Sequence, residues 1–188
     1  MNIKSVIENT YQTARRASFD MDSKQTLNQK RSLALVEALG NAFLKEYSDD
    51  SRVKVFWKGN PAHRAAFGMN EFLYDVAVCK TATVESAVHK KILSYVTEAL
   101  WLVESELAKN SRQAVIDFNK LVIGRSTNKL FVGPQVTDNQ AFLQVLASPA
   151  ALCEGVVYTA LVPYPAEWDH PKTGVEVWIW DKKQWAML

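Results

Sequence analysis

Glu104 and Glu106 lie two residues apart in the segment 99–107 (ALWLVESEL), a short run rich in large apolar residues. Such a run reads as a strand, whose side chains alternate between faces with period two. Both carboxylates then project from one face, with Leu100 and Leu102 as face-mates. An apolar face that turns doubly acidic at its end is costly to bury. Two close carboxylates repel, and each raises the other's pKa unless a cation or hydrogen-bond donors lie between them. Asp75 is a third acid, inside 72–79 (FLYDVAVC), which reads as a second buried strand. If the two strands are neighbours, three carboxylates converge. Such oxygen-rich sets hold hard divalent cations such as Mg²⁺, together with water and phosphate. A metal so held orients a water, lowers its pKa and neutralises charge developing on a phosphate. A plainer reading stays open: Glu-Ser-Glu as an exposed strand end, and Asp75 as a turn cap.

The elements that would position these acids can be read along the chain. Residues 2–18 are mildly amphipathic and suit a short helix. A break follows at 20–23, where Asp22 or Ser23 suits a helix cap. Over 25–47, Leu33, Val36, Gly40, Phe43, Leu44 and Tyr47 recur at helical spacing. Glu37 stands at the edge of that stripe and offers a fourth acid to the sheet edge. Val53, Val55 and Trp57 alternate as in a strand, and a turn follows at 59–61. Val84, Val88, Ile92 and Val96 are four apart, which predicts a helix over 84–97 with Glu85, His89 and Lys90 on its polar face. A further helix is expected over 111–123, stopped by Gly124, with Gln113, Asp117 and Lys120 on one face. A strand at 129–132, a helix at 138–148 and strands at 156–162 and 175–180 complete the reading. The order implies one α/β (α+β) domain over 1–188, a central mixed sheet flanked by helices.

Composition sets the outer bounds. A chain of 188 residues, 48% hydrophobic and 22% charged, has room for a sizeable core. No apolar run approaches the roughly 20 residues of a membrane span. The first residues lack the apolar stretch of a secretory signal. Two cysteines make no disulfide framework, so the expected location is a reducing cytoplasm. The net charge of +2 excludes a generic polycation, yet it hides a gradient: +4 over 1–64, +1 over 65–130 and −3 over 131–188. The basic end can meet an anion, and Lys54, Lys58, His63 and Arg64 are candidates for phosphate contacts. Four of the six tryptophans lie in the acidic stretch (Trp168, Trp178, Trp180, Trp185), as core residues or as anchors for a protein partner. The three histidines show no metal-ligand spacing and are expected at the surface. Cys79 is expected as a buried small hydrophobe. Cys153 has no evident base partner. No phosphate-cradling glycine loop is present.

One segment carries a resemblance. A strand ending in Glu104-Ser105-Glu106 runs through a polar turn into a helix bearing Asp-Phe-Asn-Lys-Leu at 117–121, then into a short strand. With the upstream Phe-Leu-Tyr-Asp75 segment, this resembles the PD-(D/E)XK restriction-endonuclease-like superfamily. The closer likeness is to its Glu-x-Glu variant, the BamHI-like branch in which Glu replaces the motif's Lys. The resemblance covers about residues 25–135 and leaves the Trp-rich strands of 150–188 uncovered. It implies a restriction-endonuclease-like core and Mg²⁺- or Mn²⁺-dependent hydrolysis of DNA phosphodiester bonds. It implies Asp75 and Glu104 as metal ligands, with Glu106 in water activation or metal binding. Glu37 matches the accessory acid of the first helix more weakly. The motif's Pro is absent, since Tyr74 precedes Asp75, and its Lys is missing, a role Lys120 would have to fill. Cleaving both strands of a duplex would call for a homodimer. The missing Lys also leaves a second function open: a catalytically inactive member that works as a binding or interaction module.

Overall fold

The structure, a computed structural model, describes residues 1–19, 25–171 and 173–188. The break expected at 20–23, with its candidate caps, lies outside the described residues. Helix α1 (Ile3–Arg15) is capped by Asn2, whose side chain accepts from the Ser5 N–H. Helix α2 (Leu27–Glu46) opens on a capping box, in which the Thr26 hydroxyl accepts from the Gln29 N–H and Gln29 accepts from the Thr26 N–H. The face that α2 buries is Leu35, Leu39, Gly40 and Phe43. Leu33 and Leu44 are exposed, so the stripe read from the sequence is rotated about the helix axis.

Seven strands form one sheet in chain order: β1 (Val53–Phe56), β2 (Val76–Glu85), β3 (Ile92–Ser105), β4 (Asn128–Pro134), β5 (Val156–Val162), β6 (Glu176–Trp180) and β7 (Trp185–Met187). A short helix, α3 (Arg64–Phe67), follows β1. The pairs β1–β2 and β2–β3 are antiparallel, β3–β4 and β4–β5 parallel, and the last two pairs antiparallel. Each parallel step is a helical crossover: α4 (Ser111–Ile123) links β3 to β4, and α5 (Asn139–Ala151) links β4 to β5. Successive crossovers of one hand, advancing in one direction, must lie on one face, and α4 and α5 do. Phe118, Leu121, Phe142 and Leu146 there bury against Ala77, Leu102, Phe131 and Leu161. On the opposite face, Ile7, Tyr11, Leu39 and Phe43 of α1 and α2 bury against Val55, Val78, Trp101 and Val103.

Four expectations change. The helix over 84–97 is absent: those residues form the outer half of the β2–β3 hairpin, with Val84 opposite Leu93 and Ala82 opposite Tyr95. The four-residue spacing of apolar groups fits a helix, but the β-branched and aromatic residues find antiparallel partners instead. Lys90 turns the chain at φ 54°. The strand at 72–79 begins only at Val76, so Asp75 sits at its entrance rather than inside it. Leu100 does not share a face with Glu104. The register skips it, since Val78 pairs with Trp101 and Cys79 with Ala99. That one-residue bulge sends Leu100 to the α1–α2 face, while Leu102 stays on the α4 face. Finally, His63 is not a plain surface residue: its ring packs edge-on against Phe56 at 5.2 Å, and burial lowers its pKa.

The C-terminal tryptophans are spent inside the fold. Trp168 is fully buried, donates to the Pro163 carbonyl at 2.7 Å and meets Tyr11 edge-on. Trp178 is also buried. Trp180 and Trp185 pack on one another, and Trp185 donates to the Leu143 carbonyl. This gives a protein partner in the C-terminal region no support.

Candidate active site

The antiparallel β2–β3 pair places the entrance of β2 beside the exit of β3, with Val76 opposite Val103. Asp75 and Glu104 therefore meet at one end of the sheet. The half-buried Asp75 accepts the Ser105 N–H at 2.8 Å through Oδ2, so its side chain stands in for the next rung of the ladder. Burial pushes its carboxyl above the usual range, against the pull of the Ser105 N–H and Lys120.

Glu104 is the centre of the group. Its side chain is 2% exposed and points toward α4. Lys120 Nζ donates to its Oε2 at 2.9 Å. Its Oε1 is buried and accepts no hydrogen bond. Burial is the main reason its pKa rises to about 8; Asp75 and Asp117 add to the rise and Lys120 opposes it. Lys120 also reaches Asp117 at 3.1 Å, and Gln113 Nε2 donates to Asp117 at 3.0 Å. Burial works against the Lys120 ammonium, but the two carboxylates outweigh it and hold its pKa above the usual value. The backbone carbonyl of Lys120 accepts the Tyr74 hydroxyl at 3.2 Å, which ties α4 to the segment carrying Asp75. Gly124 allows this: a Cβ there would lie 2.2 Å from the Tyr74 hydroxyl.

Glu106 follows the end of β3, and its backbone N–H continues the pairing with Val132. Its carboxylate accepts the Ala108 N–H at 2.6 Å and faces Asp117. Burial and then Asp117 raise the Glu106 pKa, while Gln113, Lys120 and Glu106 lower that of Asp117 despite its burial. Glu37 reaches the same end of the sheet by way of β1. Its Oε2 accepts the Trp57 indole N–H at 2.7 Å, and Asn41 donates to its other oxygen. Gly59 makes room for that carboxylate, since a Cβ there would lie 1.9 Å from Oε2.

Asp75, Glu104 and Lys120 are thus brought together, with Glu106 at the margin and Glu37 bonded to Trp57. Asp117 and Tyr74 complete the group. The i, i+3 spacing of Asp117 and Lys120 on a helix was the signal for the first; nothing in the sequence marked the second. Among the described residues, no three carboxylate, imidazole or thiol groups stand together as a ready ligand set. The cation between the acids is an ammonium.

These strands and crossovers define an α+β fold with a restriction-endonuclease-like core. The chain is similar to a solved structure of NucC from P. aeruginosa ATCC27853 in its cAAA-bound form, at 9% identity and a TM-score of 0.50. The match spans 99% of this chain and 81% of that one. At that identity the likeness speaks for the fold alone. No family model and no curated protein matches the chain.

Proposed function

We propose that the chain is a metal-dependent nuclease that hydrolyses DNA phosphodiester bonds at Asp75, Glu104, Glu106 and Lys120. The observation that carries this reading is Glu104: a buried carboxylate with a lysine on one oxygen and no donor on the other. A buried carboxyl oxygen without a partner suits a hard cation, which would displace the proton that burial favours, and Asp75 lies beside it, so the residues present fit Mg²⁺ or Mn²⁺. Glu104 through Oε1 and Asp75 would hold the ion, with Glu106 as a further carboxylate. When bound, the ion would lower the pKa of a water and offset charge on the phosphate. Lys120 has three N–H donors, and Glu104 and Asp117 take two of them. The third is available to a phosphate oxygen, since the side chain is 34% exposed. This restores, from the helix, the positive charge that the Glu-x-Glu motif lacks. Glu106, with its raised pKa, accepts the proton of the attacking water. The basic excess of residues 1–64 supplies further phosphate contacts.

One observation favours the second function, a silent binding module. Lys120 already neutralises Glu104, and no three-ligand cluster is assembled among the described residues. The two separate in one assay. Purified protein is titrated with Mg²⁺ and Mn²⁺ against supercoiled plasmid and single-stranded DNA, with EDTA as the control. Divalent-dependent cleavage establishes the nuclease. An absence of cleavage with no divalent ion bound in calorimetry rejects it in favour of the module.

A further inference from the structure

Lys120 carries its ammonium on a flexible four-carbon stem, and a lone lysine on a helix face samples many rotamers. Two carboxylates restrict this one. Glu104 reaches it from β3, with Nζ to Oε2 at 2.9 Å. Asp117 reaches it from one turn earlier on α4, with Nζ to Oδ1 at 3.1 Å. A single bond to Glu104 would leave the ammonium free to turn about that bond. The second contact fixes the direction of the N–H that remains. Asp117 is itself held: Gln113, a further turn back, donates from Nε2 to its Oδ2 at 3.0 Å. Side chains three and four apart are neighbours on a helix, so these three share one face of α4. The start of that helix is fixed in turn. Asn110 caps it and accepts from the Arg112 and Gln113 N–H groups, at 3.0 and 3.4 Å. A continuous line of contacts thus runs from the first turn of α4 to the end of β3.

The two acids that hold Lys120 differ in what their oxygens still offer. Each oxygen of Asp117 already meets an N–H of the chain, Oδ1 from Lys120 and Oδ2 from Gln113. Glu104 Oε1 meets none. The free oxygen suits Glu104 to a ligand's place, and the two occupied ones suit Asp117 to a fixed support. Folding has little need of that support. An i, i+3 ion pair on a helix is weak, and Lys120 keeps Glu104 as its partner without it. Direction is what the arrangement secures. A donor acts on an oxygen that gains charge in the transition state only if it is aimed there beforehand.

We infer that Asp117, backed by Gln113, is a positioning residue: it holds the Lys120 ammonium so that the third N–H faces a phosphate oxygen, and it acts through Lys120 and not on the metal. The phosphate in this inference rests on the nuclease reading; the hold on Lys120 rests on the contacts alone. The test compares the wild type with Asp117→Ala, Gln113→Ala, Lys120→Met and Asp117→Ala/Lys120→Met, each shown to be folded by circular dichroism. The first readout is NMR relaxation of the Lys120 ε-methylene and ammonium, which needs neither DNA nor metal. Lys120 is ordered in the wild type and mobile in Asp117→Ala, with Gln113→Ala between them. A Lys120 that stays equally ordered without Asp117 overturns the inference. The second readout is steady-state DNA cleavage in Mn²⁺. Asp117→Ala lowers kcat by on the order of 10-fold to 100-fold and leaves KM nearly unchanged. In the Lys120→Met background the same substitution causes no further loss. A further loss of equal size there, or weaker Mn²⁺ binding by Asp117→Ala in calorimetry, overturns the inference, because Asp117 would then act independently of Lys120. If Lys120 loosens as expected while the wild type cuts no DNA, the hold on Lys120 stands and the nuclease reading falls.

Discussion

At residue scale, the pair of Lys120 and Glu104 is where stability and the proposed chemistry meet. A carboxylate this deeply buried tolerates charge only with its partner in place. Lys120→Met leaves Glu104 unpaired and costs about 2 kcal/mol, a value set below that of fully buried pairs because Lys120 is one-third exposed. Adding Glu104→Gln recovers a large part of that loss, since the uncompensated charge is gone. Urea unfolding of the two single variants and the double variant measures this. Single-variant losses under about 0.5 kcal/mol would mean that the pair is not coupled to folding. Cys79 gives a second residue-scale expectation. Its thiol is buried and pushed up to about 12. A raised folded pKa contributes stability that is complete below the unfolded thiol's pKa, near 9, and is lost as pH rises through the folded value. The stability difference between the wild type and Cys79→Ala therefore shrinks from pH 9 upward, as measured by chemical unfolding in that window. A difference constant with pH would contradict the burial of a neutral thiol.

At element scale, the site depends on how closely neighbouring pieces of backbone approach. Gly59→Ala puts a methyl into the Glu37 carboxylate and near the Trp57 indole, which lie 1.9 Å and 2.9 Å from the added carbon. The indole–carboxylate bond must open, at a cost of about 1–2 kcal/mol. Altered Trp fluorescence and a lower unfolding midpoint report it; an unchanged midpoint would show that the turn yields freely. Helix α2 depends on its capping box, and Thr26→Ala costs about 1 kcal/mol by the same measurement. The elements were legible to different degrees. Helices α4 and α5 and strands β4, β5 and β6 stood in the sequence because one face of each helix, and both faces of the central strands, are apolar. The outer half of the β2–β3 hairpin was not legible. Val84, Val88, Ile92 and Val96 fit a helical stripe only if they are buried, and each is exposed on a ribbon. Strand β7 is three residues long and gives no pattern to read.

At the scale of the whole molecule, the acids were found in the sequence because an apolar strand has no use for them. What decided their geometry was long range. Asp75 and Glu104 meet because β2 and β3 are antiparallel neighbours, and the register shift at Leu100 puts Glu104 on the α4 face with Leu102 and not with Leu100. The position of Lys120 follows from the crossover that lays α4 over Glu104. Tyr74 could not be anticipated, since its bond goes to a backbone carbonyl 46 residues away. Charge shows the same limit: a net +2 conceals two carboxylates, Glu104 and Asp117, paired with one lysine at one end of the sheet.

The most direct test is the initial rate of plasmid nicking in Mn²⁺ by the wild type and by Glu104→Gln, with both shown to be folded. If Glu104 holds the metal, the substitution lowers the rate by on the order of 100-fold or more, because a neutral amide of the same shape binds a hard cation poorly. Equal rates in the two proteins, or no divalent-dependent nicking by the wild type, would contradict a phosphodiesterase site at Glu104.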